Sequence, residues 1–271
     1  MKHKRLTEKF PFLLPIRKFQ RKIFFYNQMK VDSHKYSETI SKENLEYEVF
    51  SSKSRLINLD SGYDIEYQIN KIDNLKLVAK TMNKIIIEPN ETFSFWMLAK
   101  NAEKNGKYKE GLVVINNKTV PQKGGGLCQM SNLLFWLFIH TPLTIIERHP
   151  HSAETIPHVK GDIPEGVDAT IAEGWLDLKV KNETNQRFQL TLDFDEEFIY
   201  GRILSNEFQE VIYKIKSENL KYKKEHGKIY RYNEIYKEGH SFFKKNLISR
   251  EQILKNKYEI KYEIDSKIEI N

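Results

Sequence analysis

The chain holds one cysteine in 271 residues, Cys128, within Gly124-Gly125-Gly126-Leu127-Cys128-Gln129. The pattern predicts a glycine turn that runs into a helix, with the thiol in the first helical turn. Unpaired backbone N–H groups and a partial positive charge collect there. Both favour the thiolate, which is the nucleophilic form. Three successive glycines let a substrate come close to the main chain. Downstream stand His149 and His151, either of which could deprotonate the thiol, since strand alternation puts both on one face. The chemistry such a set performs is acyl transfer. Thiolate attacks a carbonyl, a thioester forms, and a second amine or water resolves it. N–H groups of Cys128 and of Gly124, Gly125 and Gly126 would hold the oxyanion. Simple packing of a buried thiol is the alternative.

Other side chains fit around this pair. Asp168 is the first candidate to orient an imidazole and Glu173 the second; a role for Asp168 in capping its own backbone stands beside it. Gln129 could aim its amide at substrate or merely fill the first helical turn. Arg148 could grip a substrate carboxylate with two parallel hydrogen bonds, or pair with Glu147 or Glu154. His149, His151 and His158, with Cys128 or Asp168, offer zinc-type ligands, but their spacing matches no compact zinc signature, so neither metal nor cofactor is expected. The glycine run lacks the Lys-Ser/Thr of a phosphate loop.

Three pieces of sequence occur together: Pro89-Asn90-Glu91-Thr92-Phe93-Ser94-Phe95, the glycine-rich Cys128-Gln129, and Glu147-Arg148-His149-Pro150-His151-Ser152. In combination they resemble the VanW family, over most of the chain to about residue 200. The resemblance implies an L,D-transpeptidase-like reaction of the cysteine on peptidoglycan stem peptides or their precursors. It also implies a link to cell-wall remodelling and glycopeptide resistance, and a place at the cell envelope or membrane periphery. Through the family's Arg-x-x-His pattern it points to His151 as the base. A non-catalytic accessory protein that binds the wall or a membrane surface is the alternative.

The elements that must position these residues can be read from periodicity. Ile72, Leu75, Val78, Ala79 and Met82 share a helical face. Ile85-Ile86-Ile87 is a β-branched run that predicts a buried strand. Residues 112–120 predict a hairpin turning at Asn116-Asn117. The run 133–139 is apolar all round and predicts a buried helix, stopped at Thr141-Pro142. A strand over 143–147 then delivers Arg148 to Ser152. Apolar and polar residues alternate over 176–181 and 188–194, predicting an antiparallel pair. The Lys/Tyr-rich last seventy residues alternate over 229–236, with a turn expected at Glu238-Gly239. The class is α+β: a mostly antiparallel sheet, a central buried helix carrying the cysteine at its N-terminus, and a β-rich C-terminal part. The expected units are a basic amphipathic arm (1–50), a VanW-like domain (51–204) and a β-rich extension (205–271).

Charge is unevenly placed. The net is +7, yet residues 1–30 carry nine Lys/Arg against one acid, Glu8, which leaves the remainder near neutral. A nucleic-acid-binding surface is therefore not expected. The arm interleaves its cations with Phe10, Phe12, Leu13, Leu14, Ile16, Phe19, Ile23, Phe24 and Phe25. It predicts either an anionic membrane surface as partner or a segment whose apolar side covers the domain. Pro11 and Pro15 interrupt its apolar run, and no signal peptide or membrane-spanning helix is expected.

Overall fold

Helical spacing of apolar residues dominates the first half of the chain and alternation the second. The elements follow that division in a computed structural model that describes residues 10–115, 118–151, 153–156, 163–264 and 269–270. The first half runs α1 (Leu14–Val31), β1 (Lys35–Tyr36), β2 (Tyr47–Arg55), α2 (Ile65–Met82), β3 (Ile85–Ile87), β4 (Glu91–Ser94), α3 (Phe95–Ala99), β5 (Glu110–Ile115), β6 (Lys118–Lys123) and α4 (Cys128–Ile139). Among the described residues the second half is strand only: β7 (Thr144–Glu147), β8 (Ala153–Glu154), β9 (Lys179–Lys181), β10 (Phe188–Phe194), β11 (Phe198–Ser205), β12 (Val211–Glu225), β13 (Lys228–Ser241) and β14 (Leu247–Ile260).

The strands form three four-stranded sheets, ordered β1-β4-β9-β7, β2-β11-β10-β3 and β12-β13-β14-β8, beside the β5-β6 hairpin. Pairing is antiparallel except at β1–β4 and β14–β8. The class is α+β with mostly antiparallel sheets. The residues expected to turn the β5–β6 hairpin, Asn116 and Asn117, lie outside the described residues.

Local chemistry accounts for the helix starts. Asp64 precedes α2 and accepts from the N–H of Glu66 at 2.9 Å, and Ser94 caps α3 through the N–H of Met97 at 3.1 Å; both satisfy donors that a helix start leaves open. Helix α4 buries Met130, Leu133, Leu134, Phe135, Leu137, Phe138 and Ile139. These meet Leu75, Val78 and Met82 of α2 and Leu190, Ile199 and Ile203 of β10 and β11 in one apolar core. Close approach of α4 to β11 depends on Gly201, where an added Cβ would stand 2.5 Å from Leu137 Cδ1.

One expectation fails at the C-terminus. Glu238 and Gly239 do not turn; they continue β13, with Gly239 paired to Tyr213 on one side and Ser249 on the other. Two flanking strands override the local preference for a turn. The reversal lies at His226 and Gly227, whose φ values of 50° and 78° suit a two-residue hairpin loop. The resulting three-stranded meander is tied to the rest of the chain by Arg231. Its fully buried guanidinium bonds both Glu154 and Glu165.

Candidate functional site

The glycine turn is locked from two sides. Gly124 and Gly126 take φ values of +77° and +91°, in the left-handed region that favours glycine. At Gly125 an added Cβ would lie 2.2 Å from the Gly111 backbone. Asn74 of α2 donates to the carbonyls of Gly125 and Lys109, at 3.0 Å each, and accepts from the N–H of Lys109 at 2.8 Å. The N–H groups of Gly124 and Gly125 are engaged within the turn, on Lys109 O at 2.9 Å and Gln122 O at 3.0 Å. They therefore do not point at a substrate, and of the expected oxyanion donors it is Cys128 whose N–H opens the helix α4.

Helix α4 also places the acid. On its second turn Ser131 donates to Ala169 O at 2.5 Å, and Asn132 accepts from Ala169 N at 2.8 Å. The next residue, Thr170, donates its N–H to His149 O at 2.7 Å. Residues 168–171 are thus held between α4 and residues 148–151. The Ile171 backbone also lowers the proton affinity of the Cys128 thiol.

Cys128, His151 and Asp168 meet in this frame. His151 Nδ1 lies 2.5 Å from Asp168 Oδ2, which also accepts the His151 backbone N–H at 2.7 Å. Because Nδ1 faces the carboxylate, Nε2 is left for the thiol, whose proton affinity the nearby imidazole lowers. Asp168 Oδ1 accepts from Arg148 Nη2 and from Tyr258 OH, each at 2.6 Å, and the Asp168 carbonyl accepts from Arg148 Nε at 2.6 Å. The carboxylate thus receives four hydrogen bonds while nearly buried.

The electrostatics follow from that wiring. Burial opposes charge on Asp168, but His151, Arg148 and Tyr258 outweigh it and hold the carboxyl far below its ordinary range. Burial pulls His151 down; Asp168 and the cysteine outweigh it and raise the imidazole to about 10. Burial pushes the Cys128 thiol up, yet the bond and charge of His151, with the Ile171 N–H, bring it below its ordinary value. All three shifts favour a thiolate–imidazolium pair at neutral pH.

The other candidates are placed elsewhere. His149 turns to Glu147, Nε2 to Oε1 at 3.0 Å, so the two histidines do not share a face. Glu147 also binds Lys179 at 3.1 Å and the Asp177 N–H at 3.0 Å. Glu173 does not reach His151; it bonds Tyr26 at 2.8 Å and Lys22 at 2.7 Å of α1. Gln129 points its Nε2 at β2, to Ser54 Oγ at 2.9 Å and Arg55 O at 2.7 Å, and so tethers the helix start instead of facing a substrate. Arg148 pairs with neither Glu147 nor Glu154 but with Asp168, its guanidinium 5.3 Å from the Phe135 ring. Its donors are directed into the site's frame, which argues against a clamp for substrate carboxylates. His158, the third histidine of the zinc-type set, lies outside the described residues. Among the described residues, no three His, Cys, Asp or Glu side chains gather as a metal site would require.

Sequence reading missed Tyr258. It lies in β14, 90 residues from Asp168. Its only local signal is alternation, Asn256, Tyr258 and Ile260 all facing inward. Burial and the charge of Asp168 raise its hydroxyl further above an already high value, so it remains a proton donor. Tyr258→Phe removes one of the two donors on Oδ1. Its expected effect is a loss of about 1–2 kcal/mol in stability and a several-fold slower thiol reaction, with the fold retained. Melting curves and labelling rates equal to wild type would show that the hydroxyl contributes nothing.

Comparisons with known proteins give the chain's relatives. The family model described as "VanW like protein" matches residues 70–204, which include Cys128, His151 and Asp168 but not Tyr258. The curated "Vancomycin B-type resistance protein VanW" of Enterococcus faecalis is 44% identical over 270 residues, covering 100% of this chain and 98% of that protein. The "Uncharacterized protein YoaR" of Bacillus subtilis is 34% identical over 113 residues, which is 42% of this chain and 36% of that protein. No solved structure matches the chain.

Proposed function

The chain belongs to the VanW family, and from that premise we propose that it performs cysteine-dependent acyl transfer on peptidoglycan stem peptides, in the manner of an L,D-transpeptidase. The relative that matches the whole chain is named for vancomycin resistance, and a change in wall cross-linking is the setting in which this chemistry would serve that end. The observation that supports the reading is the grouping of Cys128, His151 and Asp168, with the carboxylate fixed by four donors.

In the proposed cycle, Cys128 Sγ attacks the acyl carbonyl of the donor stem and a C–S bond forms. The N–H of Cys128 at the start of α4 steadies the oxyanion. Collapse breaks the C–N bond, and the proton on His151 Nε2 passes to the departing amine. The neutral imidazole then takes a proton from the acceptor amine, or from water, as it attacks the thioester. Thiolate leaves and the pair is restored. Asp168 keeps Nδ1 protonated throughout, so that only Nε2 exchanges protons.

Alkylation of Cys128 by iodoacetamide across pH tests the pair. Wild type is expected to react with an apparent pKa well below the free-thiol value of about 8.5, and His151→Ala to move it upward. In turnover, kcat/KM is expected to fall as pH rises through about 10, where His151 loses the proton owed to the leaving amine. An ordinary thiol titration in both proteins would reject the activated pair and leave the accessory, non-catalytic reading.

A further inference from the structure

Helix α1 covers the domain along one side only and leaves a second set of apolar side chains exposed. The side turned to the body packs Phe25 and Tyr26 against the core and buries Met29, with polar contacts beside them. Arg21 stacks over Trp175 at 4.3 Å. Lys22 pairs with Glu173 at 2.7 Å, and Tyr26 bonds both Glu173 and the carbonyl of Trp96, at 2.8 and 3.3 Å. The helix passes so close to Gly174 that an added Cβ would stand 3.1 Å from Lys22 N. Of the whole helix only Met29 is buried.

Flanking that side is an apolar stripe in water. Ile16, Phe19 and Ile23 recur at helical spacing with exposures of 54%, 65% and 45%, and Phe12 leads into them at 71%. Phe10, Leu14 and Phe24 are also exposed around the stripe. A contiguous strip of this kind marks an interaction surface. Its charge setting says which. Among the described residues the one ion pair α1 makes is Lys22 with Glu173, so Arg17, Lys18 and Lys30 carry no carboxylate partner. Nine cations against one acid in residues 1–30 give the arm the opposite sign to an anionic bilayer, whereas the remainder of the chain is close to neutral.

We propose that α1 is a membrane-surface helix that lays Phe12, Ile16, Phe19 and Ile23 into the interface of an anionic lipid bilayer while the side bearing Lys22, Phe25, Tyr26 and Met29 stays on the protein. A second copy of the chain suits the surface less well, because two such arms would bring like charges together. The lipid headgroups supply the counter-charge and the acyl boundary receives the stripe. This inference stands apart from the acyl-transfer reading and needs no active cysteine.

The test uses the full chain and sucrose-loaded vesicles, one set rich in phosphatidylglycerol and one of phosphatidylcholine alone. Wild type is expected to sediment with the anionic vesicles and not with the neutral ones, and less so as salt rises. Phe19→Glu/Ile23→Glu is expected to lower the bound fraction at least tenfold with an unchanged melting curve, since both side chains are exposed. Phe12→Glu, ahead of the helix, gives an independent reading of the same stripe. Wild type left in solution by both vesicle types would overturn the proposal, as would variants that bind as well as wild type. A stripe-dependent dimer that ignores vesicles would also overturn it and identify a second copy as the occupant.

Discussion

Cys128→Ala is expected to lower the rate of acyl transfer from a stem-peptide donor at least about a thousandfold, while the protein melts within a few degrees of wild type. The kinetic loss is large because no other group among the described residues stands at the start of α4 facing His151. Without the sulfur there is no thioester, and the histidine and aspartate have nothing to activate. The stability change is small because the side chain is only partly buried and its removal leaves a small space. The imidazole, no longer beside a thiolate, gives up part of its raised proton affinity. Cys128→Ser is expected to be nearly as inactive, because a hydroxyl does not ionise beside an imidazolium as a thiol does. The readout is product cross-link or cleaved stem by mass spectrometry, with resistance of an expressing strain scored in parallel. Undiminished turnover in Cys128→Ala would remove the proposed chemistry outright. Unchanged resistance would assign the protein's role to binding.

Arg231→Met is expected to cost about 3–5 kcal/mol, the usual penalty for breaking a buried ion pair from one side. Arg231 is fully buried in β13 and bonds Glu154 and Glu165 at once. Methionine fills much of the volume but takes the cation from both acids, and Glu154 is itself buried. Lysine is not expected to rescue the site, since a single ammonium cannot span two carboxylates as the planar guanidinium does. The effect should reach the active pair, because Glu154 lies three residues beyond His151 and β8, which contains it, aligns with β14. Thermal or urea unfolding measures the loss, and Cys128 labelling in the same variant measures how far it spreads. A variant within about 1 kcal/mol of wild type would show that the two acids are satisfied without Arg231.

How much of this was legible in the sequence depends on distance along the chain. The α+β class and the mostly antiparallel character were, because alternation is a local signal; the expected pairing of 176–181 with 188–194 was not, since β9 lies between β4 and β7 and β10 between β11 and β3, in different sheets. The neighbourhood of the cysteine was legible, where glycine, thiol and apolar run follow one another. The partners of Gln129, Arg148 and His149 were not, because each is chosen by a competitor that local spacing does not show. Ser54 and Arg55 come from β2, and Asp168 outbids Glu147 and Glu154 for Arg148 by accepting at both its side chain and its carbonyl. Amphipathicity identified the arm as two-faced but could not say which face meets the body; the Trp175 and Glu173 contacts decide it. Glu238-Gly239 carries turn chemistry in isolation and loses it between two strands.

The parallel pairing of β14 with β8 has a consequence for how the chain can be dissected. Similarity to the family model ends at residue 204, which makes that position an inviting place to cut. A fragment ending there would bare the edge of Ala153–Glu154, strand Glu154 and Glu165 without Arg231, and remove the hydroxyl that bonds Asp168. It would retain every residue of the Cys128–His151–Asp168 set and still present them badly. The portion that the family model matches is thus smaller than the portion that these contacts tie together. Expression trials aimed at a minimal catalytic core should keep the meander through Ile260.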